Sequence, residues 1–249
     1  MIRNKFRGQR GVRNFLIGAV LTCCLPVPCL AAPGLGSEVY GATVEAGKFE
    51  FESRYDRLTG GTANGADVIK LEAAYSLNNR LRIGVFTELA KESGFSRRTE
   101  EVAIEAIYYL GKAGGLDFAV YGEYAIGLHG PDKLEAKLLM QHKRGPLDLR
   151  LNLIAEKPLV SRTPVEFSYA ASADVEAFDE FRLGVQAFGD LGTARNLLPR
   201  AEHFIGPVAK YEIEGLGPEV GLEVGYLFAV AKAKDDADGQ VRVALELEF

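Results

Sequence analysis

The residues able to do chemistry in this 249-residue chain are its three histidines and its many carboxylates. A serine nucleophile needs its base within hydrogen-bond reach. His129 stands in the stretch GLHGPDK, His142 has Met140 and Arg144 two residues to either side, and His203 has no serine near it in sequence. HExxH and phosphate-loop motifs are both missing, as is a metal-ligand cluster. The acidic stretch KAKDDADG (Asp235, Asp236, Asp238) lacks the spacing of a calcium loop and reads as a solvated hairpin tip. All three cysteines precede residue 30, so thiol and cysteine–metal chemistry is excluded from the remainder. No catalytic residue, cofactor or metal is therefore expected. The carboxylates need another use, and the elements that carry them supply one.

The chain divides into an address and a body. Arg3, Lys5, Arg7, Arg10 and Arg13 precede the apolar run FLIGAVLTCCLPVPCL, and small residues follow at Ala31 and Ala32. A basic start, a short apolar core and a small-residue site make residues 1–31 a secretory signal peptide, with cleavage expected after Ala31. Removing those five bases takes the formal charge from −5 to −10. So acidic a body is a poor partner for nucleic acid, whose phosphates call for a basic footprint. Residues 32–45, rich in Ala and Gly, are read as a periplasmic lead-in.

From residue 46 to 249 the pattern has period two. Val241, Val243, Leu245, Leu247 and Phe249 oppose Arg242, Ala244, Glu246 and Glu248, and Leu147, Leu149, Leu151 and Leu153 oppose Asp148, Arg150 and Asn152. About twelve such strands are expected, near 46–57, 66–77, 80–91, 100–111, 116–127, 132–143, 147–157, 165–175, 180–189, 202–213, 218–230 and 239–249. Their connections alternate between tight (Asn78-Asn79, Lys112–Gly115, Arg144–Pro146, Glu214–Gly217) and long (LTGGTANG, ESGFSRRT, LVSRTP, DLGTARNLLPR, KAKDDAD). Strands of even number, with short turns at one end and long loops at the other, describe a transmembrane β-barrel whose short turns face the periplasm.

A soluble β-sandwich or lipocalin-like barrel would show the same alternation. Twelve strands, however, close at a backbone radius of about 12 Å, which medium-sized apolar side chains would not fill. The apolar face is therefore expected outside, against lipid. Aromatic residues at the strand ends (Tyr55, Tyr124, Phe167 and Phe228 toward the loops; Tyr75, Tyr108, Phe118, Phe181 and Tyr211 toward the turns) fit an interfacial girdle. The terminal Phe249, with apolar residues at every second position before it, resembles the signal read by the bacterial barrel-assembly machinery.

On the inward face, Glu52, Glu72, Glu105, Tyr121, Glu123, Lys137, Arg150, Asn152, Gln186 and Glu223 are expected near mid-height as pore-lining residues. Acids would gather on one wall, and Lys133, Lys137 and Arg150 on the other, favouring cations. The opposite reading is that enclosed charges pair and close the bore. Phe188, Phe204 and Leu227 interrupt the polar face together, as an apolar lumen patch. That patch would meet an apolar solute, or be capped by Leu197 and Leu198 of the loop DLGTARNLLPR.

The stretches LGVQAFGDLG (183–192), HFIGPV (203–208), GYLF (225–228), DGQVR (238–242) and the final LELEF resemble the C-terminal third of a group of proteobacterial outer-membrane proteins. These are transporter-like barrels related to the MetA-pathway phenol-degradation family. The resemblance implies an outer-membrane barrel of a Gram-negative cell for passive uptake of small solutes, aromatic or apolar among them. Lipid, lipopolysaccharide, the assembly machinery and an unidentified solute would be its partners. The alternatives are a structural or sensing barrel with a plugged lumen, or an outer-membrane lipid hydrolase or deacylase.

Overall fold

The structure is a computed structural model that describes residues 32–213, 215 and 217–249. The expected signal peptide at 1–31 lies outside the described residues, as do two positions of the expected turn at 214–217. The strands are β1 (Phe49–Thr59), β2 (Asp67–Asn78), β3 (Leu81–Lys91), β4 (Arg98–Ala113), β5 (Leu116–Gly127), β6 (Lys133–Arg144) and β7 (Leu147–Pro158). They continue with β8 (Glu166–Phe178), β9 (Phe181–Thr193), β10 (Asn196–Leu197), β11 (Glu202–Ile213), β12 (Glu219–Ala231) and β13 (Gly239–Glu248). Each long strand pairs antiparallel with the next, and β13 returns to β1, with Tyr55 opposite Val243. The result is a closed twelve-stranded barrel, plus the two-residue β10 folded back on the end of β9.

Closure forces the two faces of each strand into different surroundings. Leu149, Leu151 and Val243 are 36–40% exposed on the outside, whereas Glu72 is 2% exposed within. The greasy face is thus outermost and the ionic face enclosed, as the bore argument requires. Tyr75, Tyr108 and Tyr211 are exposed toward the turn end, and Tyr124 and Phe228 toward the loop end.

Local chemistry sets the connections. Ala113 pairs with Leu116, leaving Gly114 and Gly115 as a two-residue turn with φ of 59° and 84°, which glycine adopts without a Cβ clash. At the loop end, Gly60 and Gly61 (φ 69° and 62°) let the β1–β2 loop approach Asp236 and Asp238 so closely that a Cβ on Gly61 would stand 2.3 Å from the Asp236 carbonyl oxygen. The charged residues of KAKDDAD are exposed, as expected of a solvated tip, but the loop is also docked on the barrel. Lys232–Asp235 form a short 3-10 helix, Ala233 and Ala237 are buried in the apolar cluster around Phe188, and Asp236 accepts hydrogen bonds from Ala63 and Thr62. Small alanines between the charges allow the loop to dock while Asp235 and Asp236 stay wet.

Residues 32–45, expected as a periplasmic lead-in, run instead inside the barrel. Arg242 donates to the carbonyls of Gly34 and Ser37, Asp56 accepts from Gly36 N–H at 2.7 Å, and Ala46 N–H reaches Asn79 Oδ1 at the turn end, at 2.9 Å. A segment without regular structure can be enclosed only where its backbone groups find partners, and the polar inner face of the wall offers them.

Candidate functional site

The enclosed face carries a continuous polar network that meets this inner segment. Arg82 on β3 donates to Glu50, Glu72 and Glu105 at 2.8, 2.7 and 2.9 Å. Lys70 on β2 lies 3.2 Å from Glu72. Arg54 holds Glu52 through its Nε and Nη2 positions, and Lys137 pairs with Glu135 at 3.0 Å. The expected opposition of an acidic and a basic wall is therefore overturned: Arg54, Lys70, Arg82 and Arg242 stand among the acids. Enclosed like charges repel and lose hydration, so carboxylates and cations share the same arc.

Tyr40 sits at the centre. Its hydroxyl donates to Glu105 at 3.1 Å and accepts from Lys70 Nζ at 3.1 Å, with Glu72 3.5 Å away. Lys137 lies 4.6 Å from its ring centroid, and the Tyr121 ring centroid is 5.0 Å off. Tyr121 donates to Glu105 at 2.8 Å and also bonds Glu123. The Tyr40 main chain is clamped twice by Asn152, which accepts from its N–H at 2.8 Å and donates to its carbonyl at 3.0 Å. Gln141 accepts from Ala42 N–H, and Arg150 reaches the Val39 carbonyl.

The ten polar residues singled out in the sequence thus fall into two groups. Glu72, Glu105, Tyr121, Glu123, Lys137, Arg150 and Asn152 gather around Val39 to Ala42 or around the partners of Tyr40. Gln186 and Glu223 bond one another at 2.8 Å away from it, and Glu52 is bound to Arg54. Missed were Tyr40 itself and the cations Arg54, Lys70, Arg82 and Arg242, although all four cations share the parity of their inward neighbours. The signal in the segment was weaker: one tyrosine in an Ala/Gly-rich stretch.

Phe188, Phe204 and Leu227 do form one buried cluster, with Val39, Leu58 and Val208. Leu197 and Leu198 do not cap it, being 62% and 76% exposed. The cover comes from the inner segment: Leu35 and Ala32 pack on the cluster, and the Arg242 guanidinium lies 4.5 Å from the Phe188 ring centroid. Among the histidines, His142 Nδ1 lies 2.9 Å from the Gly115 carbonyl, and His203 Nδ1 lies 3.3 Å from the Tyr169 hydroxyl.

No family description matches this chain, and no curated protein does. Solved structures do. The NanC porin superposes with a TM-score of 0.57 at 10% identity, over 80% of this chain and 98% of that one. An outer-membrane channel from Pseudomonas putida F1 gives 0.57 at 10% identity, over 82% of this chain and 96% of that one. The KdgM porin gives 0.55 at 10% identity, over 80% and 98%. The chain has the twelve-stranded fold of these outer-membrane barrels; at such identity the likeness is one of fold.

Proposed function

We propose that the chain is a Gram-negative outer-membrane barrel for passive uptake of small solutes, aromatic or apolar ones among them, with residues 32–45 as its internal constriction. The observation that carries this reading is the seat of Tyr40. An aromatic ring lies against an ammonium group and a second ring while its hydroxyl meets carboxylate and ammonium partners. This is a lumen site able to hold a small aromatic solute, filled by a piece of the same chain. The porin and channel fold and the apolar outer face support the location, with long loops outward and short turns toward the periplasm. Lipopolysaccharide and the barrel-assembly machinery are the partners that such a location implies.

A second reading, a sealed structural or sensing barrel, draws on the same ion pairs, since paired charges fill a bore. Planar-bilayer recording separates the two. The folded chain is expected to give small conductance steps, and a variant lacking residues 33–44 larger ones, with flux of a small phenol rising in parallel in liposomes. Silence from both proteins would defeat the uptake reading.

A further inference from the structure

The inner segment does not touch its surroundings evenly. Its hydrogen bonds go to β13 and β1 (Arg242, Asp56, Arg54), to β2 and β4 (Lys70, Glu105), and to β6 and β7 (Gln141, Asn152, Arg150). On the remaining arc of β8, β9, β11 and β12, its described contacts are apolar: Gly34 lies against Phe188, and Ala32, Leu35 and Val39 join the cluster of Ala170, Phe188, Phe204 and Leu227.

Of the enclosed side-chain atoms with no hydrogen-bond partner among the described residues, Glu38 Oε2, Asp56 Oδ1, Gln240 Oε1 and Arg242 Nε lie on the segment or on β1 and β13, and three oxygens line this arc: Ser172 Oγ on β8, Gln186 Oε1 on β9 and Glu223 Oε1 on β12. Ser172 and Gln186 are 6% and 2% exposed and stand directly opposite one another in the β8–β9 register. Gln186 donates to the other oxygen of Glu223 at 2.8 Å. Toward the turn end the line continues through Lys210, 3.7 Å from Glu223 and 3.5 Å from Asp174, which Arg182 also binds. Buried acceptors are rarely left unmet in a folded protein, and water is the usual donor where protein offers none.

We propose that a hydrated strip runs beside the seated segment along β8, β9, β11 and β12, centred on Ser172, Gln186 and Glu223. It takes water and small solutes that donate hydrogen bonds, such as primary ammonium ions. The strip deepens the uptake reading, and rests on it for its role in flux. Its hydration stands apart from that reading.

Thiol labelling of the purified, folded full chain tests it. Ser172→Cys is compared with Ala119→Cys, which lies on the opposite, packed arc against Tyr40 and Ala42, and with the parent chain as blank. The probe is the small ammonium reagent 2-aminoethyl methanethiosulfonate. Ser172→Cys is expected to react roughly tenfold faster than Ala119→Cys, because access governs thiol reactivity, and its modification is expected to reduce conductance. Equal rates at the two positions overturn the strip. Fast reaction in a barrel that never conducts keeps the strip and removes the channel; conduction with an inert Ser172→Cys does the reverse. Should Ser172→Cys fail to fold, Gln186→Cys carries the same comparison.

Discussion

Tyr40 and Glu105, 65 residues apart in sequence, meet at 3.1 Å in the interior of the barrel. The contact joins the inner segment to β4, and through Arg82 and Lys70 to β2 and β3. Replacing Tyr40 with Phe keeps the ring against Lys137 and removes the oxygen. The expected result is a looser segment: longer or more frequent open events in bilayer recordings, with barrel stability lower by about 1–2 kcal/mol. Unchanged gating would mean that the main-chain clamp by Asn152 holds the segment alone.

Arg82 is ion-paired with three carboxylates, Glu50, Glu72 and Glu105. Arg82→Ala leaves enclosed negative charge without its main partner, a loss of about 3–5 kcal/mol by analogy with broken buried pairs. Urea titration followed by the gel mobility of the folded barrel measures it. Pairing Arg82→Ala with Glu72→Gln should recover part of the loss, because one of the orphaned charges is then gone.

The outward face admits a direct trial. Leu151 lies near the middle of β7 and points outward, while its neighbour Asn152 is enclosed. Leu151→Arg should cost about 2–4 kcal/mol in a lipid bilayer. If the substitution is silent in lipid, this face does not meet hydrocarbon.

Phe49 and Phe249 exchange both backbone hydrogen bonds at the turn end of the β1–β13 seam, with ring centroids 6.0 Å apart. Phe249→Ala removes that ring contact and is expected to slow the appearance of folded barrel severalfold. Pulse-chase monitoring of gel mobility provides the readout.

How much of this could be read in advance depends on which signal is periodic. Leu149, Leu151 and Leu153 against Arg150 and Asn152 repeat every two residues, so strand, face and enclosure followed from sterics and from the size of the bore. Lys70 and Glu72 share that parity, and their pairing was legible in principle. Residues 32–45 have no period, and the partners of Tyr40 come from five separate strands. Enclosure of such a stretch is settled by what the closed wall leaves unpaired, which no local pattern announces. The docking of Ala233 and Ala237 was hidden in the same way, because neighbouring charges dominate the composition of that loop.

The inner segment leads straight into β1, and β1 is one lip of the seam whose other lip is β13, the last strand of the chain. Zipping that junction joins residues from opposite ends of the sequence, the most distant pairing in the ring and so among the slowest to form. A polypeptide tethered to the first lip and lying between the lips as they meet would be enclosed, and the narrowing of the bore would then depend on the order in which the cylinder is assembled.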